Sequence, residues 1–155
     1  MDEDENVFKI WTTIDSYAKE RLFRFFKKAQ ERGERDINIH LSTPGGRWDP
    51  SYVMYEMIHT FPFKTTAVVK QECSSLGILV LQACAHRVME KDAFLRFHHL
   101  YGKNFKKRKI CEELFILIIV SRTKQNEESV KTWFENDKIF SAQEALDVGL
   151  IDKII

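Results

Sequence analysis

Three short features of the sequence carry residue types that could perform acyl transfer. Ser42-Thr43-Pro44-Gly45-Gly46 closes a run in which Ile37, Ile39 and Leu41 alternate as strand residues do. Two glycines there let backbone N–H groups approach a ligand with no Cβ in the way. Ser75 stands where a second β-prone run, Thr65 to Lys70, gives way to an apolar stretch reaching Ala85, which predicts a helix buried all round. A helix N-terminus leaves N–H groups unpaired and carries a partial positive charge. The Ser75 hydroxyl, the Leu76 N–H and an N–H of Gly45 or Gly46 would thus supply a nucleophile and two donors for a developing oxyanion. His98 ends a third strand-like run, Phe94 to Phe97, where a base could stand beside the serine. Each feature also has an ordinary explanation: a helix cap, a turn, a structural histidine. Local reading stops at a candidate hydrolase.

The elements that would position these residues alternate along the chain. Val7 to Thr12 predicts a strand. Asp15 or Ser16 caps a helix carrying Ala18, Leu22, Phe25, Phe26 and Ala29 at helical spacing, and Gly33 suits its end. Asp49-Pro50 starts a second helix to about His59. After His98 the pattern predicts a basic loop, a long helix over 111–135, a short one over Ala142 to Asp147 and a last strand from Leu150. Strand–helix alternation of this kind predicts an α/β domain. No linker or repeat divides residues 1–155, which read as a single compact domain.

Composition removes other classes. A net charge of +1 argues against binding nucleic acid through bulk electrostatics. The acidic start has no apolar stretch behind it, and the longest apolar run, Leu114 to Val120, falls far short of the roughly 20 residues of a membrane span. Cys73, Cys84 and Cys111 are odd in number and scattered, which suits a reducing cytoplasm. Cys84, His86, His98 and His99 offer no ligand geometry, so no metal is expected. The basic run Lys103 to Lys109 reads as a solvated loop.

Taken together, the blocks resemble the proteolytic subunit of the Clp protease, within the wider Clp/crotonase fold of repeated strand-strand-helix units. Ile37 to Gly46 resembles the family's strand and S-P-G-G loop, and Ser74-Ser75-Leu76-Gly77 its A-S-M-G segment. Arg87 and Ala93 precede His98-His99-Leu100-Tyr101-Gly102 at the spacing of the segment around the family's histidine. Arg122-Thr123-Lys124-Gln125 is similar to its R-T-G-Q turn, and Phe140 to Ile155 matches its ending. The resemblance implies a serine endopeptidase with Ser75 as nucleophile, His98 as base and Asp137, fourteen residues after Thr123, as the orienting acid. It implies Gly45, Gly46 and Leu76 as the oxyanion hole, no cofactor, a peptide or unfolded protein as substrate, and a homo-oligomer.

The departures carry expectations of their own. Gln71 replaces a family glycine, with Glu72 beside it; together they would reshape the site near Ser75. Lys124 replaces another glycine. The handle, about 103–121, is shortened, and residues 1–6 leave no room for the family's N-terminal helix and axial loop. A double ring and stimulation by an ATPase unfoldase are therefore not expected. Alternatives are an inactive Clp-like assembly subunit, a crotonase-like acyl-CoA enzyme and a Ser-Lys peptidase; for the last, no lysine stands where the base should.

Overall fold

The structure is a computed structural model and describes residues 5–155; the acidic stretch 1–4 lies outside them. Thirteen elements follow in order among these residues. They are β1 (Val7–Ile10), α1 (Ser16–Arg32), β2 (Asp36–Thr43), α2 (Trp48–His59), β3 (Lys64–Ser74), α3 (Leu76–Ala83) and β4 (His86–Met89). Then come β5 (Phe94–Arg96), α4 (Phe105–Arg122), α5 (Glu127–Glu135), β6 (Ile139–Ser141), α6 (Ala142–Asp147) and β7 (Lys153–Ile154).

The main sheet runs β1-β2-β3-β4-β7, all parallel. The eleven-residue β3 is its spine, and it changes partner along its length. Thr66 to Val69 pair with β4, whereas Glu72 to Ser74 pair with β5, which in turn pairs antiparallel with β6. Both ends of the sheet's longest strand are thereby held, and the second half delivers Ser75. Behind it, α3 is buried at every position, as its largely apolar sequence requires, and its one polar side chain, Gln82, is hydrogen-bonded. The core spans all of these layers, from Ile14 and Leu22 through Leu79 and Leu81 to Phe115 and Phe134.

Helix α1 begins and ends where its sequence says. The Asp15 side chain accepts from Ala18 N–H at 2.9 Å, and Gly33, at φ 73°, takes the left-handed turn that closes it. Two expectations need correction, and one strand is added. The single helix over 111–135 is two helices: Thr123 goes extended, and the Asn126 side chain starts α5 by accepting from Ser129 N–H. The basic run is helical from Phe105, capped by Asn104, whose side chain accepts from Lys107 N–H. Strand β4 was unforeseen, because its four residues include a buried arginine. Arg87 is kept there by two bonds from its guanidinium to the Asp152 carboxylate and a third to the Gln82 amide oxygen at 2.6 Å.

Candidate active site

Ser75 occupies the junction of β3 and α3 with φ 52° and ψ −124°. This region is costly for a residue with a Cβ, and it persists only where surrounding bonds enforce it. Here Ser75 N–H donates to the Arg96 carbonyl at 2.8 Å, and the Ser75 carbonyl accepts from Ile78 N–H at 3.0 Å. The expected capping role is absent, for the Ser75 hydroxyl makes no cap bond. Its neighbour Ser74 is committed elsewhere, donating to Glu72 Oε1 at 2.7 Å. Glu72 thus ties down the rival hydroxyl.

The glycine loop lies directly against this junction. A Cβ built on Gly45, which sits at φ 97°, would be 2.9 Å from Ser75 Cβ and 3.0 Å from Leu76 N. Only glycine fits. Its N–H, however, donates to Thr43 Oγ1 at 3.1 Å and is spent. The N–H groups of Gly46 and Leu76 make no hydrogen bond among the described residues, so they are the pair left to meet an anion. Ile14 pins the loop from the other side: its N–H donates to the Gly45 carbonyl at 2.8 Å and its carbonyl accepts from Arg47 N–H at 3.0 Å.

His98 and Ser75 line one cavity of about 600 Å³, whose walls also include Arg47, Trp48, Tyr101 and Lys103. The imidazole stacks on Tyr101 at 4.8 Å, and its Nδ1 donates to the His99 carbonyl at 2.7 Å. A carbonyl can only accept, so in the neutral ring Nδ1 holds the proton and Nε2 is bare. That is the tautomer a base needs. The same His99–Leu100 peptide gives its N–H to Glu112 Oε2 at 2.9 Å, and the His99 ring meets Glu112 Oε1 at 2.7 Å. Sequence reasoning missed Glu112, since thirteen residues and a change of element separate it from His99.

Asp137 stands in a turn at φ 48°, exposed, and has no hydrogen bond to His98. The neighbouring strand register nonetheless runs toward it. Strands β5 and β6 pair Phe94 with Ser141, Leu95 with Phe140 and Arg96 with Ile139, and Phe97 N–H then donates to the Lys138 carbonyl at 2.9 Å. Continued one step past that bond, the series would set His98 opposite Asp137. Of the sequence candidates, the structure therefore brings Ser75, Leu76, Gly45, Gly46 and His98 around one cavity and leaves Asp137 outside its lining. Cys73 is fully buried beneath the junction, and burial pushes its thiol far up; Cys84 is likewise pushed up to about 12.

The fold and this junction meet their counterparts in known proteins. Residues 3–155 match the Clp protease family. The ATP-dependent Clp protease proteolytic subunit 2 of Frankia casuarinae is 27% identical, across 91% of this chain and 70% of its own length. An ATP-dependent Clp protease proteolytic subunit of Dehalococcoides mccartyi is 26% identical, across 81% and 69%. A point mutant of ClpP1 from Listeria monocytogenes superposes with a TM-score of 0.90 over 98% of this chain and 92% of its own, at 20% identity. That likeness speaks for the fold. The chain belongs to the Clp protease family, whose members are serine peptidase hydrolases. No described helix is long and apolar enough to cross a membrane.

Proposed function

We propose that this chain is a serine endopeptidase that cleaves peptide bonds through an acyl-enzyme. One observation carries the reading: Ser75 is held in a strained conformation beside two unspent N–H groups, in the same cavity as a histidine with a bare Nε2. In the proposed cycle Ser75 Oγ bonds to the scissile carbonyl carbon while its proton passes to His98 Nε2. Gly46 and Leu76 N–H groups bind the resulting oxyanion. The C–N bond then breaks and His98 returns the proton to the leaving amine. Water, activated by the same imidazole, attacks the ester and restores Ser75.

Asp137 is the proposed orienting acid. Nδ1 has one proton, so the ring must leave the His99 carbonyl to reach Asp137, and the β5–β6 register, which runs toward both residues, supports this swing. No cofactor takes part. The substrate is a peptide or an unfolded protein, and the place of action is the cytoplasm. Clp proteolytic subunits typically form oligomers and work with ATPase partners. For this chain the proposal is a homo-oligomer, a ring or smaller.

A fluorophosphonate probe tests the reading. Labelling should fall on Ser75, and Ser75→Ala should abolish labelling and peptide cleavage together, while Ser74→Ala retains both. Labelling that survives Ser75→Ala ends the proposal. Light scattering on the same sample checks self-association; a monomer would refute it.

A further inference from the structure

The cavity beside Ser75 is charged out of proportion to the chain. The whole sequence balances 24 Lys and Arg against 23 Asp and Glu. The cavity is lined by Arg47, Lys103, Lys107 and Arg108 against one carboxylate, Asp49. That carboxylate is already taken, since Lys107 Nζ lies 3.3 Å from both of its oxygens. The Arg108 guanidinium rests over the Phe105 ring at 5.4 Å. Arg47 and Lys103 have no acidic partner among the described residues. Two free cations thus face a cleft whose remaining walls include the apolar Trp48, Leu76 and Leu100.

Position along the chain sharpens this. Arg47 directly follows Gly46, whose N–H is one of the two available to the oxyanion. A side chain beside a carbonyl held at Gly46 would be within a residue's reach of the Arg47 guanidinium, which grips carboxylates with paired donors. Because both cations are solvated, a substrate carboxylate would meet them without stripping a buried charge, whereas a lysine or arginine would be repelled. Such exposed attraction gives selectivity and salt dependence more than raw affinity. An extended polyanion is the poorer fit, for the basic groups line a pocket and the chain as a whole carries only +1.

We infer that the site selects peptides with an aspartate or glutamate next to the scissile bond, read by Arg47 and Lys103. This rests on the peptidase reading, and the experiment separates the two. Fluorogenic peptides differing only in Glu, Gln or Lys before the reporter group are compared for kcat/KM on the full chain. Glu should exceed Gln by about tenfold and Lys by more, and high salt should shrink the Glu/Gln ratio to about twofold. Arg47→Gln and Lys103→Gln should each remove much of that ratio. A Glu/Gln ratio near one at low salt overturns the inference. If no peptide is cleaved, the peptidase reading fails by itself, and binding decides this one. Labelled Glu and Gln peptides are then titrated against Ser75→Ala protein by fluorescence anisotropy. Tighter binding of the Glu peptide supports the inference, and equal binding overturns it. A single-stranded oligonucleotide that binds more tightly than the Glu peptide overturns it too, in favour of a nucleic-acid site.

Discussion

Gly46→Ala would test the loop and the chemistry at once. A Cβ built on Gly46 would lie 2.1 Å from the Ile14 carbonyl oxygen, 2.6 Å from its nitrogen and 2.7 Å from its carbonyl carbon. All three are backbone atoms, so no rotamer relieves the clash. Ile14 cannot retreat cheaply, because it is fully buried and bonded to both sides of the loop. The loop must move instead, breaking the bonds from Ile14 N–H to Gly45 and from Arg47 N–H to Ile14. At about 1 kcal/mol each, that removes roughly 2 kcal/mol of stability. For a chain of this size the melting temperature should fall by roughly 4–8 °C. The same movement withdraws the Gly46 N–H from the oxyanion, which should lower kcat by about 10²–10³. Thermal melts and peptide turnover measure the two effects, and Gly33→Ala is the control. Gly33 has nothing within 4 Å of a built Cβ but a φ of 73°, so it should lose stability and keep its turnover. A Gly46→Ala protein with native melting and native kcat would refute both the clash and the assignment of its N–H.

Two further outcomes follow from the base and from the buried arginine. Asp137→Asn should reduce turnover by on the order of 10⁴ with the fold intact. A loss under about tenfold would show that the His99 carbonyl is a sufficient acceptor for His98. For Asp152, partial burial works against ionisation, but the hydrogen bonds and charge of Arg87, helped by Arg122, outweigh it and hold the carboxyl below its ordinary value. A depressed acid stabilises above its unfolded pKa, so this contribution is full at neutral pH and fades as pH falls below about 4. Asp152→Asn should therefore cost on the order of 1 kcal/mol at pH 7, a figure lowered for its 43% exposed side chain, and progressively less in acid. Urea unfolding across that range checks it, and a pH-independent difference would refute the ionic account.

Local signals were legible where one residue does one job. Asp15 and Gly33 bound α1, and the alternation of Ile37, Ile39 and Leu41 gives β2. The α/β class and the Clp-type fold follow from such signals and from the spacing of motifs. The break between α4 and α5 was not legible in local propensity, because no glycine or proline interrupts 122–127, and only the likeness of Arg122 to Gln125 to a family turn pointed to it; the turn is supported from a distance, with Gly149 fitted against Thr123. The division of labour within Gly45-Gly46 was hidden for a similar reason. Which N–H is spent depends on the Thr43 hydroxyl and which is clamped depends on Ile14, and neither shows in a pair of identical letters. The hold on His98 was equally hidden, since Glu112 acts through a peptide group and reaches it from another helix.

The candidate residues lie far apart in sequence, yet strand register alone brings them close. Ser74 pairs with Arg96 between β3 and β5, so the next residue of β3's chain, Ser75, bonds to the Arg96 carbonyl and lies two residues' travel from His98. On the opposite edge, Thr43 pairs with Cys73 after a register shift in which β3 takes two more residues than β2, and that shift brings the glycine loop to the Ser75 backbone. Continued two steps past its last pair, Arg96 with Ile139, the β5–β6 register runs toward His98 and Asp137. Side chains alternate faces along a strand, so a one-residue slip at either contact of β3 would turn its partner's residues to the wrong side. Core packing forbids that slip, because Cys73 and Leu95, paired in register, are both fully buried. The positioning of the site is therefore a consequence of the same burial that stabilises the sheet. The orientation of the imidazole is not, for it hangs on one bond to the His99 carbonyl and one exposed ring, Tyr101. In the proposed mechanism the nucleophile is therefore held by many bonds and the base by few, and the base is where substrate binding has the most to change.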